Sequence, residues 1–258
     1  MKKFFILALF FLILPVNASA QIVNVQGLLA EKPQKGLKIN LGGNGLIKTG
    51  NVDYKKFSAI SAIRYFNEPN TIIFTSSAEY AEKDEVPFWE RYFEHLRYRY
   101  ALGKYFGTDT FIQHEYNKFK RFSLRMLYGV GGFVNYRFNF DVKLTFGLDY
   151  MFEYNRYSED SAYTDSGEIK KYHRLDSYFN VAYSHSNFTV TDTVYYQPEI
   201  SNFSNLMFYN EISLIFKLTT RFSVSSSFAY SYNANPPQGV KKTDTKTTFG
   251  LNIALGPY

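Results

Sequence analysis

The segment FSLRMLYGVGGFVNYRF, running from Phe122 to Phe138, decides the fold. Gly129, Gly131 and Gly132 put three glycines in four positions, as a phosphate-cradling loop would. Such a loop needs its glycines between a strand and a helix start, and no helical period follows here. The segment instead alternates. Phe122, Leu124, Met126, Tyr128, Val130, Val134, Tyr136 and Phe138 fall on one side, and Arg121, Ser123, Arg125, Gly129, Gly131, Asn135 and Arg137 on the other. Period two is the signature of a strand. Gly129 and Gly131 then become positions without side chains on the polar face, leaving room for bulky neighbours.

The same period extends along the chain. From Phe140 to Tyr154 every even position is apolar or aromatic, while Asp141, Lys143, Thr145, Asp149 and Glu153 hold odd ones. Phe249, Leu251, Ile253 and Leu255 alternate with Thr248, Gly250, Asn252 and Ala254. Phe222 to Tyr232 and Leu206 to Leu218 repeat the pattern. A soluble sandwich would bury the apolar face, whereas a transmembrane barrel turns it to lipid and lines its lumen with the polar one.

Three features favour the barrel. Twelve candidate strands begin near Leu37, Tyr54, Thr71, Arg91, Thr108, Phe122, Phe140, Lys171, Phe188, Leu206, Phe222 and Thr245. They are long enough for the roughly 9 to 11 residues a tilted membrane strand requires, and their number is even. The connections alternate. Short turns are expected on the periplasmic side at Asn67 to Asn70, Lys104 to Gly107, Asn139, His185 to Asn187 and Thr219-Thr220. Longer loops are expected opposite, at Glu79 to Trp89, Ser158 to Lys170 and Asn233 to Asp244. Tyrosine and phenylalanine crowd the ends of the apolar faces, as aromatic girdles do. The expectation is an all-β, antiparallel transmembrane β-barrel of about 12 strands over residues 36–258, with ten and fourteen strands as neighbouring solutions.

The N-terminus, MKKFFILALFFLILPVNASA, joins a basic start, an apolar run and an Ala18-Ser19-Ala20 ending. Residues 1–20 read as a signal peptide for export, which together with the barrel pattern places the mature chain in the cell outer membrane. Residues 21–35 lack alternation and read as an N-terminal periplasmic arm or a short lumen plug. The 258-residue chain has no cysteine, which removes disulfide scaffolds and thiol chemistry. Its formal charge is +6. Without Lys2 and Lys3, 27 basic residues face 23 acidic ones, and no long basic run points to nucleic acid.

FEHLRYRY (Phe93 to Tyr100), FIQHEYNK (Phe111 to Lys118) and Arg125 ahead of the glycine strand resemble the YdiY-like, salt-induced outer-membrane protein family of unknown function. Ile22 to Gln26 resembles its bacteroidetal branch. The resemblance implies an outer-membrane barrel and carries over no reaction and no catalytic residue.

The alternation directs Arg97, Arg99, Glu115, Arg121, Arg125, Arg137, Asp141, Asp149, Glu153, Arg174, Asp176, Glu211 and Lys217 into the lumen. Hairpin corners near residues 106, 120 and 139 are expected to gather Arg97, Glu115, Arg125 and Glu153 into one charge cluster, and to pair Arg137 with Asp141. Such a cluster either packs the lumen through paired charges or forms a constriction beside which a small anionic solute passes or binds. His95, His114, His173 and His185 form no metal-ligand spacing, and Ser184-His185-Ser186-Asn187 reads as a polar turn. Asp160, Asp165 and Glu168 read as a solvated loop, not a calcium loop. No cofactor, metal site or catalytic constellation is expected. The leading reading is a narrow channel or binding barrel for small solutes, bathed in outer-membrane lipid, with no enzymatic role. The alternatives are a closed structural or interaction barrel of the envelope, and a lipid-modifying enzyme with serine and histidine together on its lipid-facing or rim surface. Oligomeric state is not readable.

Overall fold

The computed structural model describes residues 34–49, 53–138 and 141–255. The signal sequence, most of the arm and the Asn139 corner lie outside these residues.

Twelve antiparallel strands form a closed barrel in simple meander order. They are β1 (Gly36–Lys48), β2 (Tyr54–Asn67), β3 (Asn70–Lys83), β4 (Val86–Ala101), β5 (Phe106–Asn117), β6 (Phe122–Arg137), β7 (Val142–Tyr157), β8 (Ile169–His185), β9 (Phe188–Glu199), β10 (Asn202–Lys217), β11 (Phe222–Asn233) and β12 (Thr243–Leu255). The ring closes where residues 39–42 of β1 pair with residues 252–255 of β12.

Exposure settles which face points where. On β12 the apolar Phe249, Leu251, Ile253 and Leu255 are 42–68% exposed, facing outward from the barrel. Arg97, Arg125, Glu115 and Asp149 are at most 2% exposed, facing inward. A soluble fold would do the reverse. Rings gather at both rims. Tyr54 with Phe88 and Tyr92 with Tyr116 lie at one end, and Tyr105, Tyr136 and Phe138 with the Tyr183–Phe188 pair at the other. Along β4, Tyr92 to Tyr100 is roughly 27 Å of strand, or about 20 Å of height once tilted. This is an outer-membrane-type barrel: even-stranded, apolar outside between aromatic girdles and polar within. We call the end bearing Gly36 and Leu255 the terminal end, and the other the distal end.

Most reversals fall where the sequence puts them. Glu68–Pro69 and Ser186–Asn187 close tight terminal-end turns, and residues 158–168 and 234–242 form long distal loops. The Glu79–Trp89 loop is not a loop. β3 and β4 continue through it to a two-residue turn at Asp84 and Glu85, with φ of 49° and 62°. Two left-handed residues are what a type I′ hairpin demands. The charges that suggested a loop sit on the distal stretch of paired strands, where Lys55 bonds Glu82 at 2.7 Å.

Candidate functional site

The glycine strand shapes the lumen. Gly131 lies between Asp109 of β5 and Asp149 of β7 and is the cross-strand partner of both. A Cβ on Gly129 would enter the Phe111 ring, and one on Gly147 the Tyr178 ring. The strand carries no side chain at positions its neighbours fill, so inward packing is dense there.

Around this packing the charged residues form two layers. In the layer nearer the distal end, seven side chains alternate in sign. Lys246 meets Glu79 at 3.1 Å, Glu79 meets Arg91 at 3.1 Å and Arg91 meets Glu115 at 3.1 Å. Glu115 meets Arg125 at 3.5 Å, Arg125 meets Glu153 at 2.9 Å and Glu153 meets Arg174 at 2.6 Å. Arg125 also donates across the lumen to Met207 Sδ of β10, at 3.7 Å. Each interior member sits between two opposite charges. That is the arrangement that lets buried ions persist without isolated desolvation.

The second layer lies toward the terminal end. Arg97 meets Asp109 at 2.7 Å and Asp149 at 3.8 Å, and its guanidinium stacks 4.5 Å from the Phe111 ring centre. Arg99 meets Asp109 at 3.2 Å and donates to Tyr178 Oη at 2.6 Å, linking β4 to β8 across the interior.

The expected cluster is therefore redistributed. Glu115, Arg125 and Glu153 meet, whereas Arg97 belongs to the other layer. The β4–β5 reversal uses Leu102–Tyr105. Arg97 consequently faces Phe111, and Glu115 faces Phe93. The β6–β7 register also differs from the expected one. Arg137 stands opposite Lys143, not Asp141, and Asp141 accepts from His185 Nδ1 at 3.1 Å. Arg121 leaves the lumen wall because the register shifts between Phe122 and Leu124. That bulge also turns Phe122 inward, to 2% exposure. Glu79, Arg91 and Lys246 were not singled out, although the alternation of β3, β4 and β12 carries each of them to the inner face.

Arg121 works in a distal lid. It donates to Asp165 Oδ1 at 2.7 Å and to the Gln238 carbonyl at 2.8 Å, and lies 3.7 Å from the Tyr163 ring centre. Gln238 N–H donates to Asp165 at 2.8 Å and Thr164 N–H to Gln238 Oε1 at 2.9 Å. Three distal connections are thereby tied over the mouth. Burial works against the Asp165 carboxylate, but the bonds from Gln238 N–H and Arg121 outweigh it and hold the group below the usual carboxylate range. The lid's contribution is thus complete above about pH 4 and lost as pH falls through the lowered folded value. Asp165→Asn is expected to speed proteolytic nicking of residues 158–168 at pH 7. Unchanged nicking rates would show the Arg121–Asp165 contact does not hold the lid.

On the opposite wall the lumen is less filled. Ser223, Ser225 and Ser227 of β11, Ser213 of β10 and Thr248 and Asn252 of β12 are half-exposed. Their exposure ends at Ala229, Ser231 and Asn233, which are 3–6% exposed. A hydroxyl-lined recess therefore opens from the terminal end and stops beneath the ion-pair chain.

The enzymatic alternative requires a serine hydroxyl on a histidine. His95 meets Gln113 and His173 meets Tyr150 Oη, while His114 meets Glu94 and His185 meets Asp141. On the outward face the cross-strand order is Ser76, Glu94, His114, which places the acid between hydroxyl and imidazole. A triad needs the imidazole in the middle. Among the described residues no group of three metal-ligating side chains has the geometry to hold an ion.

No curated protein matches the chain. Among solved structures, a NanC porin is 13% identical, with a TM-score of 0.48, 86% of this chain covered and 100% of the porin. A KdgM porin in complex with disordered oligogalacturonate is 10% identical, at 0.46, covering 86% and 99%. The translocator domain of the autotransporter NalP from Neisseria meningitidis is 10% identical, at 0.48, covering 88% and 91%. Likeness at this level says nothing about cargo. The family is another matter, because its model spans both charge layers and every strand from within β1 to the end of β12. With residues 39–255 matched, the chain belongs to the family described as "Protein of unknown function, DUF481".

Proposed function

We propose that this is an outer-membrane barrel that passes or binds small solutes in a gated lumen, with both termini in the periplasm and no enzymatic role. The observation that carries the reading is the contrast between the two walls. Arg125 and Glu115 are sealed at 0% exposure, while the hydroxyl wall of β10–β12 stays open to solvent from the terminal end. A solute enters the recess from the periplasm and meets the ion-pair chain as its barrier, with the lid beyond. Rings of charged side chains are a standard means of barring and selecting solutes. Hydroxyls suit hydrated polar solutes because each both donates and accepts.

The refolded protein in planar bilayers tests this. Wild type is expected to show no resolved openings, and Arg125→Ala, which removes the cross-lumen bar, to show discrete steps. Silence from both would assign the chain to the closed structural barrels. Large wild-type steps would remove the gate.

A further inference from the structure

The outward wall carries polar chemistry that the lumen does not use. Ser61, Ser76, Glu94 and His114 stand opposite one another in succession across β2 to β5. Ser61 and Ser76 share a hydroxyl–hydroxyl hydrogen bond of 2.8 Å. Glu94 Oε2 lies 3.4 Å from His114 Nδ1, with the two side chains 58% and 39% exposed. One outward position toward the distal end are the packed rings of Tyr92 and Tyr116. One outward position the other way are Leu96 and Ile112, both exposed. An ionisable pair thus sits just inside the apolar band, on the face that meets lipid. Ionisable groups there are costly and mark a site by default.

Directly below the pair the wall is concave. A groove of about 420 Å³ is lined by Leu96, Tyr98, Ile112, Tyr128, Val130 and Tyr150, within the size range of small-molecule sites. Thr110 and Gly129 also line it. The Thr110 hydroxyl is already committed to the Gly129 carbonyl at 2.8 Å. The groove itself therefore offers an almost wholly apolar surface, and Glu94 with His114 stand one outward position beyond its Leu96 and Ile112.

We propose that Glu94, His114 and this groove bind one bilayer lipid chain that carries a hydrogen-bond donor, a hydroxyl or an amide N–H, close to its head. The chain lies in the groove along the run of the membrane's acyl chains. Glu94 accepts the donor, since a carboxylate is acceptor-only, and His114 holds the carboxylate in place. The Tyr92 and Tyr116 rings mark the level of the headgroups. A second copy of the barrel would instead bring a flat strand wall against this face, which leaves a groove unfilled.

The test uses the full barrel in nanodiscs of dimyristoylphosphatidylcholine, which has no donor of its own, doped equally with methyl myristate and methyl 3-hydroxymyristate. Native mass spectrometry of the released protein counts what is retained. The hydroxylated ester is expected to be favoured about tenfold, as one hydrogen bond to a charged group would give. Glu94→Leu, apolar on a lipid-facing position, is expected to fold, as shown by heat-modifiable gel migration, and to lose the preference. Thr110→Trp, which fills the groove, is expected to lose both esters. Equal retention by wild type, or a preference that survives Glu94→Leu, overturns the proposal. So does a wild-type dimer that Glu94→Leu dissociates, which would make this face a protein interface.

Discussion

Arg125→Ala is expected to lower folding stability by about 3 kcal/mol, the lower part of the range for breaking a buried ion pair from one side. Glu115 and Glu153 are at most 1% exposed, and both lean on the same guanidinium. Neither is orphaned by the change, because Arg91 still reaches Glu115 and Arg174 still reaches Glu153. That residual pairing argues for the lower part of the range. The end of the chain should behave differently. The Lys246 side chain is 25% exposed, so Lys246→Ala is expected to remove less than about 1 kcal/mol, as a screened pair does. Urea unfolding of the three proteins in the same detergent reads the difference as midpoints. A replacement of Glu115 and Arg125 together by Leu and Met sharpens the argument. If desolvation offsets attraction, the double variant is more stable than Arg125→Ala alone, since Arg91 keeps Glu79 and Glu153 keeps Arg174. Equal midpoints for Arg125→Ala and Lys246→Ala would mean the interior is wet and the chain is not a seal.

The architecture was legible because a membrane barrel writes its whole plan in one period. The inward residues of β6 beyond the bulge, of β7 and of β12 follow from parity alone, Gly129 and Gly131 among them. Parity fixes the face but not the height. Which charges meet depends on where each reversal falls, and a shift of one or two residues moves every partner along the strand. Arg97 falls in the other layer because the reversal expected at Lys104–Gly107 lies at Leu102–Tyr105. Gly107 is in fact a strand residue, and the Phe133 ring occupies the space a Cβ would need. Arg137 and Asp141 were separated because the β6–β7 register differs from the expected one. Arg121 was lost to a bulge, which no alternation reveals. The chain from Lys246 to Arg174 was invisible as a unit for a different reason. Its Lys246–Glu79 link joins β12 to β3, strands far apart in sequence and not paired with each other.

Gly131→Ala is expected to destabilise the barrel by about 2–3 kcal/mol, the upper part of the range for adding one methyl to a filled interior. The added Cβ would fall within 3 Å of Asp149 Oδ1, the Leu148 carbonyl and Asp149 Cα. The first can swing aside, but the other two are backbone of β7, locked in the ladder that pairs Gly131 with Asp149. Relief requires β6 and β7 to part, which also disturbs the approach of Arg97 to Asp109 and Asp149. Gly132 supplies the control one residue away. It faces outward, and a Cβ there would meet nothing nearer than the Gly107 carbonyl at 3.2 Å. Gly132→Ala is therefore expected to stay within about 1 kcal/mol of wild type, as outward substitutions away from packed features do. Urea midpoints of the pair decide between two explanations of the glycine run. If both variants lose stability equally, the run is there for backbone bending, which either substitution would oppose. If only Gly131→Ala does, the glycine is there because Asp149 and the Leu148 carbonyl occupy the space that a side chain would fill.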